Sequence, residues 1–386
     1  MIQKVFVKRK SRLLGGHLWI FSNELAASPR GHEPGSLVEV CDSQGMFLGI
    51  GYINPNSLIA VRLLTRQREE ISSDFFRRRI EEALRFRKLF LPDRVSCRLV
   101  YSEGDFLPGL IVDRYAGCLV VQLLTAGIER QKDLLLGLLD EMLSPEIIVL
   151  KNDSPNRTLE GLPLEKRTVS GGSCIVQITE GGIKSEVDPL SGQKTGYFFD
   201  QVENRMAFSR LIGGGRGLDL FCYSGAWGLL LAGKGAHVTF VDSSEAAIRQ
   251  ARRNAELNAL SDKCSFLKAD VFNFLTREID SGNSYDFVVL DPPAFVKSKA
   301  KLKEGLRGYR EINAHAMKIT RKGGLLATSS CSHHVDRTAF LEMLHLAAKD
   351  AGRDVRVLEL RSQGRDHPVL LSMPETEYLK CAFLVC

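Results

Sequence analysis

The 386-residue sequence predicts an α/β protein with a doubly wound, Rossmann-like sheet in its C-terminal half, preceded by a small β-barrel and a small α+β middle domain. Three observations predict it. From about residue 188, strand-like apolar runs alternate with helical runs. Before residue 72, the apolar runs are short and separated by turn clusters. The chain is also too long for one ordinary domain, and its 44% hydrophobic and 25% charged residues suit a globular protein. The expected domains are 1–72, 73–187 and 188–386.

In the first domain, apolar runs at 4–7, 37–40, 47–53 and 58–64 are divided by turns at 31–35, 42–45 and 54–57, the pattern of a small barrel. The N-terminal stretch MIQKVFVKRKSR holds five basic residues and no acid. No long apolar region follows, so it does not read as a secretory signal. Lys8, Arg9, Lys10 and Arg12 are candidates for contact with a nucleic-acid backbone. Residues 74–88, DFFRRRIEEALRFRK, have the spacing of a basic amphipathic helix, read first as a linker helix with a solvated face. The middle domain shows strand-like runs at 119–124, 147–151 and 173–178 and a helical run at 130–142.

In the last domain, strands are expected at 217–221, 237–242, 265–270, 287–291, 325–330, 355–360 and 381–385, with helices at 244–258, 310–320 and 338–351. No apolar run reaches the 18 residues of a membrane span. The nine cysteines are odd in number and scattered, with no C-x-x-C. That argues against a disulfide framework or zinc ribbon, and points to a cytoplasmic protein with free thiols and no metal site. The net charge of +6 is a mild pull toward a polyanion.

The first strand of the doubly wound sheet runs into GLDLFCYSGAWGLLLA. Asp219, Phe221, Ser224 and Gly225 therefore stand at a strand end, where such sheets bind ligands. Gly225 would let backbone approach a ligand, and Gly228 would let a helix pack tightly. Asp242 ends the second strand and suits two ribose hydroxyls; Asp270 ends the third and can accept from an adenine amino group. Three acids on three successive strand ends point to an adenosine. A nicotinamide enzyme would need G-x-G-x-x-G to seat its pyrophosphate, and here Phe221, Tyr223 and Ser224 fill that turn. S-adenosylmethionine has no phosphate and is the cofactor this pattern implies. No P-loop motif occurs.

The fourth strand leads into Asp291-Pro292-Pro293, with Phe295 two residues on. The prolines stiffen a loop facing the donor, and Phe295 is placed to stack on a base. The fifth strand ends at Cys331 in LLATSSCSHH. Carbon 5 of a pyrimidine is too weak a nucleophile to take a methyl group until a thiolate adds at carbon 6. A cysteine and a carboxylate on neighbouring strand ends, Cys331 and Asp291, supply that pair. His333 and His334 either tune the thiol or are surface residues.

These residues resemble the PUA-domain-bearing 23S ribosomal RNA cytosine-5 methyltransferases, a class I, S-adenosylmethionine-dependent family. HLWIFSNE (17–24) is similar to the start of the PUA barrel and EGDFLPGLIVDRY (103–115) to a segment of the middle domain. KTGYFFDQ (194–201) is similar to the lead-in to the cofactor site. DPPAFVKSK, RGYREIN (307–313), SSCS, GRDHPV (364–369) and YLK (378–380) follow in family order. The resemblance covers nearly the whole chain. It implies Cys331 as nucleophile, and Gln201, Asp219, Phe221, Asp242, Asp270 and Asp291 at the cofactor and catalytic strand ends. It implies large-subunit ribosomal RNA as partner and leaves a homodimer open. One departure is Val202, where the family usually continues D-Q with Arg. Two other readings remain: methylation of an exocyclic amino group, which keeps Asp291-Pro292-Pro293 without needing Cys331, and a non-catalytic RNA-binding assembly factor.

Overall fold

The computed structural model describes residues 2–172, 175–192, 195–296 and 298–386. Ser173 of the expected strand at 173–178, Lys194 of the KTGYFFDQ motif and Lys297 of DPPAFVKSK lie outside the described residues. The chain forms two compact units. The first comprises Met1–Val176, Val187–Phe199 and Arg365–Thr376; the second comprises Gln177–Glu186, Asp200–Gly364 and Glu377–Cys386.

In the first unit, the N-terminal sheet has five strands in the order Gln3–Val7, Ser36–Asp42, Phe47–Ile53, Ile59–Thr65, Trp19–Phe21. The first pair is parallel and the rest antiparallel. Val7, Val38, Val40, Ile53 and Val61 alternate into its core. The short strand Trp19–Phe21 is not among the expected apolar runs. A second five-stranded sheet follows in the order Glu165–Ser170, Ile147–Asn152, Cys118–Leu123, Leu110–Tyr115, Cys97–Tyr101. The helix Ser73–Phe90 sinks Phe75, Phe76, Ile80 and Ala83 into the core of this sheet. Each of its large apolar side chains contributes roughly 1.5–3 kcal/mol. Its basic face is only partly solvated, because Arg87 is buried against Asp105 and the carbonyl of Arg98.

Two segments that the sequence placed in the last domain pack here instead. The buried Lys151 ammonium donates to the carbonyls of Pro189, Leu190 and Gly192 at 2.7, 2.9 and 2.7 Å. Buried Asp366 accepts from the Arg98 amide at 3.1 Å, while Arg87 donates to the Asp366 carbonyl at 2.7 Å. A buried ammonium or carboxylate is stable only when so compensated, and these contacts fix both segments to the middle sheet.

The second unit is a seven-stranded sheet. Its strands are β1 (Arg216–Leu220), β2 (His237–Asp242), β3 (Cys264–Lys268), β4 (Tyr285–Leu290), β5 (Thr320–Ser330), β6 (Arg356–Arg361) and β7 (Lys380–Val385). Their order is β3-β2-β1-β4-β5-β7-β6. Strands β1 to β5 are parallel, and β7 lies antiparallel between β5 and β6. This insertion distinguishes the sheet from the 3-2-1-4-5-6 order of dinucleotide-binding folds. Helices α1 (Val202–Ser209), α2 (Ala226–Ala232) and α3 (Glu245–Leu257) cover one face, around Phe208, Trp227, Phe240 and Phe383. Helices α4 (Val271–Asp280), α5 (Leu302–Ile319) and α6 (Arg337–Ala351) cover the other, around Leu220, Phe274, Tyr309 and Phe340.

Two elements begin earlier than expected: α5 at Leu302 rather than 310, and β5 at Thr320 rather than 325. Glycines obscured both starts. Gly305 and Gly308 lower helix propensity, yet a Cβ at Gly305 would lie 2.4 Å from Val296 Cγ2, so glycine is what lets α5 press on the loop after β4. No helix of the described residues is long and apolar enough to cross a membrane.

Candidate active site

The site forms at the carboxyl ends of β1, β2, β4 and β5. The turn from β1 into α2 is backbone-strained: Phe221 and Tyr223 adopt φ of 60° and 47°, and Gly225 adopts 82°. Left-handed non-glycine residues cost on the order of 1 kcal/mol each and persist where surroundings impose them. Here the surroundings do so by hydrogen bonds. The Tyr223 amide donates to Asp242 Oδ2 at 3.0 Å, the Gly225 amide to the Cys222 carbonyl at 2.7 Å, and Asn254 Nδ2 to the Ser224 carbonyl at 3.0 Å. Asp242 Oδ1 accepts from the Ser244 amide at 2.8 Å. Asp242 thus shapes the turn, with lone pairs left on both oxygens.

Asp219 projects from β1 toward the α2 face and is 1% exposed. Its Oδ2 accepts from the Gly228 amide at 2.8 Å, while its Oδ1 is buried with no hydrogen-bond partner. Burial pushes the carboxyl up to about 7, opposed by the Gly228 amide and reinforced by the charges of Asp291 and Asp242. Gly228 is required by packing: a Cβ there would stand 2.3 Å from the Phe240 ring. The expected tight helix contact is therefore present at that glycine.

Asp291 follows β4. The residue as a whole is half-buried, but its carboxyl is enclosed by donors. Gln201 Nε2 donates to Oδ1 at 2.9 Å and Trp227 Nε1 to Oδ2 at 3.1 Å. Burial pushes this carboxyl up to about 6, opposed by the Trp227 hydrogen bond and helped by Asp200. Gln201 is 2% exposed and doubly fixed: its Oε1 accepts from Asn204 at 2.7 Å, and its Nε2 also reaches Ser329 Oγ at 3.0 Å. Asp219 and Asp291 are thus two enclosed carboxyls whose pKa values are raised first of all by burial. Arg205, the buried cation of α1, is bound bidentately by Glu180 at 2.8 and 2.6 Å. Val202, where the family resemblance leads one to expect arginine, is the buried first residue of the same helix.

Cys331 is the first residue after β5 and is half-buried. Leu290 of β4 lies opposite Thr328 of β5, so Asp291 and Cys331 occupy neighbouring strand ends. Ser332 Oγ ties the surrounding loops together, accepting from the Val296 amide at 3.2 Å and lying 2.9 Å from Tyr309 Oη. Among the described cysteines only Cys264 and Cys331 are not buried, and burial pushes the Cys264 thiol up to about 12. Of the two, Cys331 lies at the carboxyl end of its strand and Cys264 at the start of its own.

Other expected residues take more ordinary positions. Asp270 is exposed and caps α4, its Oδ1 accepting from the Asn273 amide at 3.0 Å. Pro292 is buried and Pro293 exposed. The Phe295 ring lies 4.6 Å from Tyr309 and 6.4 Å from Phe221, packed into an aromatic cluster. His333 and His334 are exposed, the former tilted 5.4 Å from the Tyr378 ring. In the first unit, Lys8 and Arg9 are exposed. Lys10 pairs with Asp42 at 2.6 Å, and Arg12 reaches His17 and Glu24.

Sequence reasoning missed Trp227, Asn204, Tyr309 and Lys380. Trp227 reads as a core residue of an apolar helix, and Lys380 as the polar start of a strand. Only the partners of their polar tips disclose more.

Comparison with known proteins agrees with this architecture. Residues 4–66 match a PUA-like domain and residues 184–342 the family described as conserved hypothetical protein 95. A relative from Erwinia tasmaniensis, ribosomal RNA large subunit methyltransferase I, is 40% identical over 379 residues, covering 96% of each chain. A putative SAM-dependent methyltransferase from Streptococcus mutans has the same fold, with TM-score 0.85 at 20% identity and 100% of both chains covered. A second solved structure, a putative methyltransferase complexed with SAH, gives TM-score 0.86 at 19% identity, again over 100% of both chains.

Proposed function

This chain belongs to the ribosomal RNA large subunit methyltransferase I family, and from that premise we propose that it moves the methyl group of S-adenosylmethionine to carbon 5 of a cytosine in large-subunit (23S) ribosomal RNA, through a covalent Cys331 adduct. The observation that carries the reading is the pairing of a partly accessible Cys331 with the enclosed carboxyl of Asp291 on the adjacent strand end.

The residues present fit the donor. S-adenosylmethionine brings a sulfonium-bound methyl group and an ammonium, and thus the positive charge that the acid cluster lacks. The unpartnered Oδ1 of Asp219 is a buried acceptor suited to a ligand donor. Asp219, Gln201, Phe221, Ser224 and Gly225 would hold the amino-acid end. Asp242 would accept the ribose hydroxyls, and Asp270 the adenine amino group beyond its cap.

Chemistry at the base then falls to two side chains. Cys331 Sγ adds to carbon 6 and makes carbon 5 electron-rich. After methyl transfer to carbon 5, Asp291 takes the carbon 5 proton. The sulfur–carbon 6 bond breaks, restoring the aromatic ring and the thiolate. A carboxyl raised to about 6 is still ionised at neutral pH and is a stronger base than an ordinary aspartate. Pro292, Pro293 and Phe295 would shape the base pocket, with Phe295 held rigid by its aromatic neighbours. Lys8 and Arg9, with Lys10 and Arg12 beside them, would contact RNA phosphates.

RNA carrying 5-fluorocytosine tests the reading, because fluorine cannot leave carbon 5 as a proton does. We expect an RNA–protein adduct that resists denaturation, maps to Cys331 by mass spectrometry and vanishes in Cys331→Ala. Full methyl transfer by Cys331→Ala would instead favour an exocyclic amino group as acceptor.

A further inference from the structure

Lys380 opens β7, and its partner in the antiparallel ladder is Ser330, the residue before Cys331. The side chain is 4% exposed. Its ammonium donates to the Ser332 carbonyl and the Tyr378 carbonyl, both at 2.7 Å. It therefore lies across the turn that carries Cys331, close enough for the two groups to interact electrostatically. A lysine on a protein edge normally keeps its head in water. Enclosing one here costs solvation that two neutral carbonyls offset only in part. An ammonium has three N–H donors, and these carbonyls take two.

We infer that Lys380 is the positioning residue that holds Cys331 as a thiolate, its enclosed ammonium lying across the turn that carries the sulfur. The inference rests on Cys331 as nucleophile. The S–H bond breaks and its proton leaves to solvent, the ammonium keeps its three N–H bonds, and no redox partner is needed.

Burial lowers the Lys380 ammonium to about 8, while Cys331, Glu377 and Asp336 pull it back up. Besides these two acids, Tyr309 faces the turn, its phenol pushed up by burial and by Cys331. His333 and His334, which the sequence offered for this task, are exposed.

The test is alkylation of Cys331 by iodoacetamide from pH 5.5 to 10.5, read on the Cys331 peptide by mass spectrometry. It uses the full chain without RNA or methyl donor. Rates are divided by each variant's own high-pH plateau, which removes differences in access. Lys380→Gln keeps hydrogen-bond donors without charge, and Lys380→Arg keeps the charge. We expect the normalised rate at pH 7 to fall about tenfold in Lys380→Gln, as for a thiol whose pKa rises by about one, and to stay within about threefold of wild type in Lys380→Arg. Superposable profiles for Lys380→Gln and wild type would overturn the inference. So would an equal fall in both variants, which would mark a structural role. The readout does not depend on methyl transfer, so an active Cys331→Ala would remove the nucleophile reading without affecting this measurement.

Discussion

Asp219→Asn offers a direct probe of the acid cluster, because it removes a charge while nearly preserving shape. The wild-type carboxyl titrates near 4 when unfolded and near 7 when folded, owing first to burial. The folded state therefore holds a proton that the unfolded chain has released. The stability contributed by this group is full below the unfolded pKa, is lost as pH rises toward 7, and stays lost above it. Raising a carboxyl from about 4 to about 7 corresponds to about 4 kcal/mol at pH 8, an order-of-magnitude ceiling. Asparagine avoids that penalty and can still accept the Gly228 amide. It also brings a buried N–H₂ toward the position of the unpartnered Oδ1, at a cost of roughly 1–3 kcal/mol.

The expected net gain is thus about 1–3 kcal/mol at pH 8, falling to nothing or reversing near pH 5. For a unit of this size that is several degrees of Tm. The assay is calorimetric unfolding of the ligand-free wild type and variant at pH 5, 6, 7 and 8, with titration of S-adenosylmethionine alongside. The wild type should gain Tm with donor and the variant should not, since the acceptor for the cation is gone. A Tm difference that does not change with pH would refute the claim that an uncompensated buried charge sits at Asp219. Donor binding within about threefold of wild type would refute its role in the site.

Two further outcomes follow from the geometry. Trp227→Phe removes the N–H that holds down the Asp291 pKa, so the acid limb of the pH–rate profile should move up from about 6, with the alkaline limb unchanged. Gly228→Ala gains helix propensity but drives a methyl into the Phe240 ring at 2.3 Å, so urea unfolding should show a loss of about 1–3 kcal/mol, and a gain would mean the helix is free to shift.

The C-terminal sheet was legible because a parallel strand buried on both faces leaves a continuous apolar run, and its end is marked by the first polar residue. Asp219, Asp242, Asp291 and Cys331 were singled out that way, and the structure places each at or just after a strand end. The same signal does not disclose an acid's local partners: Asp270 looks like its neighbours in sequence and also caps a helix in the structure. The segments Val187–Phe199 and Arg365–Thr376 were misplaced because nothing local marks them. They are loops whose membership is decided by Lys151 and by the Arg87, Arg98 and Asp366 contacts, all distant in sequence. The reversed β7 was equally hidden, since an apolar run carries no sign of its direction.

The enclosed groups at the ends of β1 and β4 differ in sign from the one at the end of β5. At β1 and β4, Asp219 and Asp291 sit where burial favours protonation, and Arg205 is already held by Glu180. Such a pocket gains most from a cationic ligand. At β5, on the neighbouring strand end, the enclosed ammonium of Lys380 lies against the Cys331 turn and favours an anion there. The proposed reaction puts a thiolate and a methyl sulfonium in one cleft, where they would react with each other if nothing kept them apart. On the proposed reaction, acids on the donor side and an ammonium on the thiol side would hold each reactant at its own strand end. On that proposal a base entering between them would be the acceptor both can reach.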